Sequence, residues 1–407
     1  MDRLIVVKFG GSVLNDGKSI RKVAEFIKRE LEKGLKLVIT VSAIKGETDK
    51  LLNYVRVAIN GNDKKMIDDV IAMGEKTSAR LFTNSLRSLG INAIVVDPES
   101  EYWPIITDEN YGDANPILEK SKKITEEKLI PLINKGKVPV ICGFIGRSEN
   151  GNITTLGRGG SDTTAILLGR FLNADEVVLV KNVDGLFSAD PNDISDAILI
   201  EEVTTEDLYI LSTVGTKIIH SKALKYKPSD LKIRIISLKN GSLLGHGTVI
   251  NGTPIGLEVI SEKNSIVMIT VLVDKKVDYG LLNNFSDIAL KHRWDIKFIT
   301  FHKKALMLYV SGDDSKGMIR EIHNLLVKQG SGKAITAIKN LGRVIIRGHG
   351  LERISGVISK VTSPLAEKNI NIFGLNTIAS SIHIFLSSED VDVAARIIKE
   401  VIEKEVV

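Results

Sequence analysis

Lys8 opens a short glycine-rich segment whose residue types suit the binding of an anion. Gly10, Gly11 and Ser12 follow it, after a β-branched run and before a helical pattern. Backbone N–H groups at such a strand-to-helix turn point towards an anion, and glycine lets the ligand approach closely. A P-loop is excluded because it needs four residues between its glycines, whereas five separate Gly11 from Gly17. Taken alone, the motif also fits a plain tight turn, and that alternative stays open.

A second glycine-rich segment, TLGRGGSD (155–162), places an arginine among three glycines. Ser161 or Asp162 could serve as a plain N-cap of the helix that follows. A cap does not require three glycines, however, and it does not explain Arg158 between them. A guanidinium group is a planar fork that fits a carboxylate or a phosphate. The segment therefore predicts a site for an anionic group.

Two further segments lie where an open α/β sheet binds its ligands. The first, KNVDGLFSADP (181–191), begins at the end of a predicted strand, and ligands bind at the carboxyl ends of such strands. The second, GTKIIH (215–220), puts Lys217 at the start of a predicted helix, behind a glycine. Each signal is weak alone, because a surface lysine is usually only solvated.

The composition is that of an ordinary folded protein and excludes several classes of function. The chain has 407 residues, 43% of them apolar and 26% charged, which suits two or three domains with large cores. Its net charge of +5 comes from 55 basic and 50 acidic residues with interspersed signs, so binding to nucleic acid or to a membrane surface is not expected. The sequence has neither a run of 18 apolar residues nor a signal-peptide pattern, and we expect a cytoplasmic protein.

Cysteine and histidine usage argues against disulfides and against a metal centre built by the protein itself. Cys142 is the single cysteine, and we expect it to be a buried core residue. The seven histidines form no H-x-x-x-H pair, so a histidine metal cluster is not expected.

The first part of the chain, up to about residue 260, alternates strand and helix patterns. This alternation predicts a mostly parallel sheet covered by helices on both faces. The apolar spacing from Ile20 to Leu31 predicts a helix that Ser19 caps and Gly34 ends. The predicted strands are 4–9, 35–42, 92–97, 138–143, 176–181 and 232–237, and further helices are predicted near 67–89, 160–173, 203–212 and 215–226.

The rest of the chain contains an internal repeat with an offset of about 76 positions. Residues 269–280 align with 345–356, and 294–310 align with 370–386 without a gap. Each copy reads strand, helix, strand, short turn, strand, helix. Such units form small α+β sandwiches, whose sheets can pair edge to edge and so cover exposed strands. The segment 251–265, which carries Gly, Pro and Ser, is the predicted boundary before the repeat.

The motifs taken together resemble the amino-acid kinase family, and within it the aspartate kinases. The segments that carry the resemblance are KFGGS (8–12), VSAIKGETDKLL (41–52), MGEKTSARLF (73–82), GFIG (143–146), TTLGRGGSD (154–162), VDGLFSADP (183–191) and GTKIIHSKAL (215–224). The repeated unit resembles the tandem ACT domains that follow the kinase domain in that family. The resemblance implies a mostly parallel α/β sheet between helices at 1–260, followed by two ferredoxin-like α+β ACT domains at 262–340 and 341–407.

The resemblance also implies the residues of an active site. The catalytic residues would be Lys8, Asp162 and Lys217. The ATP-binding residues would be Lys8, Gly10, Gly11, Ser12, Ser42, Lys181, Asn182, Phe187, Asp190 and Lys217. The substrate-binding residues would be Thr48, Glu75, Phe144, Arg158, Ser161 and Asp162. Within that set, Arg158 would bind the α-carboxylate of the substrate through two hydrogen bonds, and Glu75 would balance the positive charge of the substrate ammonium group.

The reaction that the resemblance implies is transfer of the γ-phosphoryl group of ATP to the side-chain carboxylate of L-aspartate. The product would be 4-phospho-L-aspartate, on the way to lysine, threonine and methionine. The acceptor is already an anion, so no general base is needed, and positioning and positive charge carry the catalysis. Mg²⁺ would enter with ATP, ligated mainly by phosphates and water. An amino-acid effector would bind the ACT domains, whose sheet edges favour a homodimer or a larger homo-oligomer.

Some positions depart from the pattern of the family. Asn182 stands where Asp is usual, Phe187 where Tyr is frequent and Asn192 where Arg is common. Lys297 stands where lysine-inhibited relatives have an acidic or small residue, and its charge would repel a lysine effector. Two alternatives stay open: another member of the family, such as a uridylate or acetylglutamate kinase, and a non-catalytic amino-acid sensor that keeps the ACT pair.

Overall fold

The structure is a computed structural model, and it describes residues 3–58, 63–212, 218–253, 256–273, 280–330, 332–348, 351, 355–378 and 380–405. The chain divides into two compact units, Met1–Ile255 and Gly256–Val407. Within the described ranges, no helix is long and apolar enough to span a bilayer.

The first unit alternates strands and helices along the chain. Its strands are β1 (Leu4–Phe9), β2 (Lys36–Val41), β3 (Ala93–Val96), β4 (Ile106–Thr107), β5 (Val138–Cys142), β6 (Ile145–Ser148), β7 (Ile153–Thr155), β8 (Glu176–Lys181), β9 (Leu186–Phe187), β10 (Leu199–Ile200), β11 (Glu202–Thr204), β12 (Lys232–Ser237) and β13 (Thr248–Asn251). Its helices are α1 (Gly17–Glu32), α2 (Glu47–Ala58), α3 (Lys64–Ile71), α4 (Met73–Ser88), α5 (Leu118–Ile124), α6 (Ile130–Asn134), α7 (Gly160–Phe171), α8 (Thr205–Ser212) and α9 (Ser221–Leu224). A π-helical turn (Thr125–Leu129) joins α5 to α6, and a 3₁₀ turn (Leu238–Asn240) follows β12.

β1 lies near the centre of an eight-stranded sheet with the order β11-β13-β12-β8-β1-β2-β5-β3. The strand pairs of this sheet are parallel except for β12 with β13, which confirms the predicted mostly parallel sheet. On one side of β1 lies the next strand of the chain, β2, and on the other lies β8, which comes much later. The strand order therefore reverses at β1, and open α/β sheets bind their ligands at the carboxyl ends of the strands at such a point.

Neighbouring residues of β1 point to opposite faces of the sheet. Phe9 packs against Phe82 of α4, with 5.7 Å between the ring centroids. Lys8 instead forms an ion pair with Asp162 of α7. α4 and α7 therefore cover opposite faces, as the sequence predicts. Because both faces are covered, β1 and β8 consist almost entirely of buried residues.

The predicted first helix forms, but Ser19 is not its cap. α1 begins at Gly17, and Asp16 is the N-cap, whose carboxylate accepts the Ser19 N–H at 2.7 Å. The Ser19 hydroxyl in return accepts the Asp16 N–H at 2.9 Å. Ser19 is therefore the third helical residue of a capping box, which satisfies both backbone donors. The helix ends before Gly34, whose φ of +88° suits glycine, as predicted.

Of the other predicted elements of the first unit, three strands form with the predicted ends and the rest have shifted ends. The strands predicted at 4–9, 176–181 and 232–237 are β1, β8 and β12 without change. The helical pattern over 67–89 forms two helices, α3 and α4, which meet at Ala72. Of the helix predicted over 215–226, the structure has α9, and residues 213–217 lie outside the described part of the chain.

The second unit is built from the predicted repeat. Its strands are β14 (Glu258–Val273), β15 (Asp295–His302), β16 (Ala305–Ser311), β17 (Gly332–Arg347), β18 (Ile372–Ile378) and β19 (Ser381–Ser387). Its helices are α10 (Gly280–Lys291), α11 (Ser315–Gln329), α12 (Val357–Glu367) and α13 (Val391–Glu405). The order β14-α10-β15-β16-α11 is repeated as β17-α12-β18-β19-α13. All six strands form one sheet with the order β15-β16-β14-β17-β19-β18, so the two copies pair edge to edge as predicted.

The long strands β14 and β17 each serve both copies of the repeat. From Ile266 onwards, β14 pairs with β16 and with the first half of β17. Residues 258–262 of β14 pair instead with the second half of β17, which also pairs with β19. In agreement with this, Val259 packs on the core of the second copy, although it lies in the first strand of the first copy. Each copy therefore completes a four-stranded ferredoxin-like sheet with a strand half from the other.

Candidate active site

Two lysines share one buried carboxylate at the carboxyl ends of β1 and β8. Lys8 Nζ lies 2.6 Å from Asp162 Oδ1, and Lys181 Nζ lies 3.1 Å from Asp162 Oδ2. Lys8 is 8% exposed and Asp162 is 5% exposed. β1 and β8 pair in parallel, with Lys8 opposite Leu179, so lysines at two adjacent strand ends can reach one carboxylate. Two positive charges and one negative charge leave this lysine cluster with a net charge of +1, which suits an anionic ligand.

Asp162 lies in the first turn of α7 and does not cap it. The N-cap is Gly159, in the left-handed conformation with φ of +73°. Burial raises the pKa of Asp162, but the ammonium groups of Lys8 and Lys181 outweigh burial and hold this pKa well below its ordinary value. Burial lowers the pKa of Lys181, and the charge of Asp162 opposes that shift. Asp162 therefore stays ionised around neutral pH and holds both lysines in place.

The turn after β1 brings its backbone against the lysine cluster. A Cβ added to Gly10 would lie 3.4 Å from Lys8 Nζ, so the chain passes directly beside the ammonium group. A Cβ added to Gly11 would lie 2.9 Å from the carbonyl oxygen of Ala43, a contact that glycine avoids. Ser12 follows as an exposed residue. The turn thus combines backbone access with an adjacent positive charge.

The glycines of the second motif are in close contact with neighbouring segments. A Cβ added to Gly157 would lie 2.3 Å from Asp113 Oδ1, and one added to Gly159 would lie 2.3 Å from His220 Cβ. Both glycines have positive φ values, +70° and +73°. Lys222 Nζ forms an ion pair with Asp113 Oδ1 at 2.5 Å. The described residues of the segment GTKIIHSKAL (215–224) therefore pack against the glycine-rich segment.

Phe144 and Ser161 also pack around this segment. A Cβ added to Gly160 would lie 2.8 Å from Phe144 Cδ2, and one added to Gly143 would lie 2.7 Å from Ser161 Cβ. Phe144 itself has a positive φ of +68°, and its N–H donates to Thr164 Oγ1 at 3.1 Å. The turn after β5 and the start of α7 are thus locked together, which brings these two predicted substrate residues next to each other.

Arg158 is the exposed charge at the tip of the glycine-rich segment. Within the described part of the chain, it has no ion-pair partner. Glycines flank it on both sides, and their contacts fix the backbone from which it projects. Its guanidinium group is therefore available to a carboxylate or a phosphate from a ligand.

Glu75 lies in the first turn of α4 and is 3% exposed. Its Oε1 accepts the N–H of Ala43 at 3.0 Å, whereas its Oε2 has no hydrogen-bond partner among the described residues. Burial raises the pKa of Glu75 to about 7, although the Ala43 N–H and the charge of Lys8 oppose the rise. A buried carboxylate oxygen without a partner is unfavourable, and the ammonium group of a ligand would satisfy it.

Two further predicted residues lie on the segments that surround Glu75. Ser42 directly follows β2, is half-buried and donates its N–H to the last carbonyl of β1 at 3.0 Å. Thr48 is half-buried in the first turn of α2, and its Oγ1 lies 4.0 Å from the Cβ position of Gly74. The same Cβ would lie 2.9 Å from the Cβ of Ala43. The absence of a side chain at Gly74 therefore lets α4 carry Glu75 up to this loop.

The predicted nucleotide segment after β8 joins the lysine cluster through its first residue, Lys181. Asn182 and Asp190 are exposed. Phe187 is half-buried in β9, which pairs with β10. Among the described residues, no side-chain hydrogen bond or ion pair connects these three to the lysine cluster. Lys217, the other predicted catalytic lysine, lies outside the described residues.

Asp68, which the sequence analysis did not single out, is buried beside the glycine-rich segment. It is 1% exposed and accepts hydrogen bonds from the Gly112 N–H and from both the N–H and the hydroxyl of Thr155. Burial raises the pKa of Asp68, and these hydrogen bonds oppose the shift. A signal was available, because Asp68 and Glu75 are seven positions apart and so lie on the same face of a helical pattern, within its apolar stripe.

The donor set of this site does not include a ready-made metal cage. Among the described residues, no group of three His, Cys, Asp or Glu side chains could hold a metal ion. The central carboxylate, Asp162, is already paired with two lysines. A divalent cation would therefore take most of its ligands from substrate oxygens and water. This arrangement fits Mg²⁺ that arrives bound to nucleotide phosphates.

The comparison with family models identifies the class of protein. The model described as the amino acid kinase family matches residues 3–237 of the 407. The chain belongs to the amino acid kinase family. A second model, for an ACT domain, matches residues 337–400.

Individual relatives that are similar to this chain are aspartate kinases. The aspartate kinase of Pseudomonas fluorescens is 28% identical over 97% of this chain and 96% of its own length. The crystal structure of aspartate kinase from Synechocystis is 24% identical, with a TM-score of 0.79, and the match covers 98% of this chain and 69% of that one. The E. coli aspartokinase III structure with aspartate and ADP is 21% identical, with a TM-score of 0.56 over 98% and 100% of the two chains. These structures support the expected fold, an amino-acid kinase sheet followed by ACT units.

Proposed function

We propose that this chain is an aspartate kinase, which transfers the γ-phosphoryl group of ATP to the side-chain carboxylate of L-aspartate. The observation that carries the proposal is the pair of lysines, Lys8 buried and Lys181 half-buried, on the buried carboxylate of Asp162 at the point where the strand order reverses. Transfer of a phosphoryl group between two anions depends on positive charge and positioning. The choice of substrate is supported by the relatives named aspartate kinase, which match over nearly the whole chain.

At the phosphoryl end of the site, Lys8 and Lys181 stabilise the negative charge of the transferred group. Asp162 touches no phosphate in this mechanism and keeps the two ammonium groups at one place. The acceptor carboxylate attacks as it is, so no proton has to be removed. We also propose Lys217 as a catalytic lysine that adds positive charge at the transferred group and contacts ATP. The other nucleotide contacts that we propose come from Gly10, Gly11, Ser12, Ser42, Asn182, Phe187 and Asp190.

At the aspartate end, two oppositely charged groups recognise the backbone of the substrate. Arg158 binds the α-carboxylate through its guanidinium fork, since it is exposed and has no ion-pair partner in the described chain. Glu75 receives the α-ammonium at Oε2, the buried atom without a hydrogen-bond partner among the described residues. Thr48, Phe144 and Ser161 line the space between these two groups.

Mg²⁺ enters this mechanism as the complex with ATP, and it neutralises charge on the phosphates when bound. The chain holds it indirectly, because Lys8 and the glycine turn bind the phosphates that carry it. No carboxylate of the lysine cluster is free for it, since both oxygens of Asp162 face ammonium groups.

A hydroxamate assay for acyl phosphate tests the proposed reaction. The purified chain with MgATP and L-aspartate should form a hydroxamate, and omission of either substrate should abolish it. Parallel reactions with acetylglutamate, and with UMP followed by nucleotide chromatography, distinguish other members of the family. Turnover of UMP or acetylglutamate in place of aspartate would contradict the proposal. Amino-acid binding with no turnover of any acceptor would instead indicate a non-catalytic sensor.

We further propose that the second unit binds an amino-acid effector and supports a homodimer or a larger homo-oligomer. Lys297 is less of an obstacle to a lysine effector than the sequence suggests, because its Nζ lies 2.5 Å from Asp295 Oδ2 and 3.9 Å from Glu262 Oε2. Calorimetry with lysine, threonine and methionine, with and without substrates, tests the effector. Saturating effector that leaves substrate affinity unchanged would exclude coupling through binding.

A further inference from the structure

Asp68 joins three segments around the proposed aspartate pocket. Its Oδ2 accepts the N–H groups of Gly112 and Thr155, each at 2.8 Å. Its Oδ1 accepts the hydroxyl of Thr155, also at 2.8 Å. Thr155 is the last residue of β7, three positions before Arg158. Because Asp68 is 1% exposed, water competes little for these hydrogen bonds, which makes them stronger.

Other backbone polar groups in the segment before Arg158 are also hydrogen-bonded. The carbonyl of Thr155 accepts the N–H of Ala114 at 2.8 Å, and the N–H of Leu156 donates to the carbonyl of Phe144 at 2.8 Å. Arg158 itself has no ion-pair partner in the described part of the chain. Its position therefore depends on the strand end that precedes it, where Asp68 supplies two of the hydrogen bonds.

Asp68 is also connected to the helix that carries Glu75. α3 passes into α4 at Ala72, and the N–H of Ala72 donates to the main-chain carbonyl of Asp68 at 3.1 Å. Glu75 follows three residues later, in the first turn of α4. One residue thus bonds through its carboxylate to the strand before Arg158 and through its carbonyl to the helix junction before Glu75.

We propose that Asp68 is a positioning residue that sets the separation between Arg158 and Glu75, and with it the fit to an amino acid. The inference rests on the proposed function, because it takes these two groups as the ones that bind the α-carboxylate and the ammonium. Asp68 does not touch the substrate. It acts on aspartate binding through the strand end and the helix junction, and it leaves the lysine cluster unchanged.

Asp68→Asn is the main test, because the amide group presents N–H to backbone donors where the carboxylate accepts from them. We expect the KM for aspartate to rise about tenfold or more, with kcat and the KM for ATP changed by less than about threefold. Thr155→Val removes one of the three hydrogen bonds and should give a smaller rise. Thr155→Ser keeps the hydroxyl and should restore the aspartate KM.

Glu30→Gln is the matched control for the loss of a buried carboxylate. Glu30 is also 1% exposed and accepts a backbone N–H, that of Leu243 at 3.0 Å, but it lies on α1. We expect this variant to melt at a lower temperature with an unchanged aspartate KM. An Asp68→Asn enzyme with a normal aspartate KM, or a Glu30→Gln enzyme with an equal rise, would overturn the proposal. If Asp68→Asn does not fold, Thr155→Val takes its place, and a normal aspartate KM in that variant would overturn the proposal.

Calorimetric titration with aspartate in the absence of ATP separates this inference from the proposed function. A wild-type chain that binds aspartate but phosphorylates none would overturn the proposed function, and the dissociation constants of the same variants would then decide the role of Asp68. A wild-type chain that does not bind aspartate would overturn both.

Discussion

Lys181 shares the carboxylate of Asp162 with Lys8, and this pairing leads to the first prediction at the scale of single residues. Lys181→Met would lower the net charge of the lysine cluster from +1 to zero. We expect kcat to fall roughly 10²-fold, with a smaller effect on the KM for ATP, because charge stabilisation matters most in the transition state. Lys8→Ala should behave in the same way. Steady-state kinetics with both substrates varied is the measurement.

Lys76→Met is the control for this prediction. Lys76 is also buried, at 6% exposed, but its Nζ bonds to Glu99 at 2.7 Å and not to Asp162. Its replacement should cost stability and leave kcat within a few-fold of the wild type. If Lys181→Met also kept a kcat close to that of the wild type, the proposed role of the second lysine would be wrong.

Arg158 should bind the α-carboxylate of aspartate through its planar guanidinium group. Arg158→Lys keeps the charge but loses bidentate geometry, so the KM for aspartate should rise much more than the KM for ATP. Arg170→Lys is the control, because Arg170 lies in the last turn of α7, at the end away from the segment that carries Arg158. An unchanged aspartate KM in the Arg158 variant would refute the assignment.

Glu75 makes stability and substrate binding depend on pH in opposite ways. Its pKa is raised from 4.5 to about 7 in the folded protein, so the folded state binds more protons between these values and its stability falls as the pH rises through this range. Glu75→Gln removes the buried charge and should stabilise the substrate-free protein by about 3 kcal/mol at pH 8, and by nothing at pH 4. Denaturant unfolding at the two pH values measures this, and an equal effect at both would contradict the raised pKa.

The same carboxyl group should control the pH dependence of aspartate binding. Protonated Glu75 cannot balance the substrate ammonium, so the KM for aspartate should rise as the pH falls below about 7. Glu75→Gln should have a high KM that varies little between pH 6 and pH 8, measured in the same assay. A wild-type KM that is flat over this range would exclude Glu75 as the ammonium partner.

Residue types and spacing predicted that the segments after β1, before α7 and after β8 bind ligands, because glycine-flanked charges at strand ends are local signals. The pairing of Lys181 with Asp162 was not predicted. Asp68 escaped prediction because its partners, Gly112 and Thr155, are 44 and 87 positions away. The same applies to Asp113, which contacts Gly157 and Lys222 only after folding. The place of Asp68 in an apolar stripe indicates burial, but tertiary packing decides which donors a buried carboxylate accepts from, and the spacing of residues along one sequence does not predict these partners.

At the scale of elements, the glycine-rich segment should tolerate no side chain at Gly159. Gly159→Ala adds a Cβ that would lie 2.3 Å from His220 Cβ, at a φ of +73°. Gly151→Ala is the matched control, since its φ is +83° but nothing lies within 4 Å of the added atom. Both variants should lose about 1 kcal/mol from backbone strain. Only the Gly159 variant should lose kcat/KM, by about tenfold or more, because it displaces the loop that carries Arg158.

Periodicity predicted the elements of the first unit well where one face of a helix is apolar or a strand is wholly buried. β1, β8 and β12 have the predicted ends because a continuous run rich in β-branched residues favours a strand over its whole length. The break at Ala72 was missed because the apolar stripe continues across it from α3 into α4. The prediction of Ser19 as the N-cap was wrong because Asp16 and Ser19 both have side chains that favour the N-cap, and in this capping box Asp16 occupies it.

At the scale of the whole molecule, the shared strands predict that the second copy of the repeat does not fold alone. A fragment of residues 341–407 lacks residues 258–262 of β14, which pair with β17, and it exposes the core on which Val259 packs. A fragment of residues 256–407 contains both strands and should unfold in one cooperative transition. Circular dichroism melting of the two fragments measures this, and a stable, cooperative 341–407 fragment would contradict it.

The exchange of partners along β14 and β17 also determines where this chain can be recombined with a relative. A crossover near residue 340 would place strand halves from two parents side by side in the middle of the sheet, where their side chains must interlock along the ladder of β14 with β17. A crossover near residue 256 transfers both copies and keeps every pair of the six-stranded sheet with its own parent. In chimeric enzymes and in natural recombination, both copies of the repeat should therefore come from the same parent.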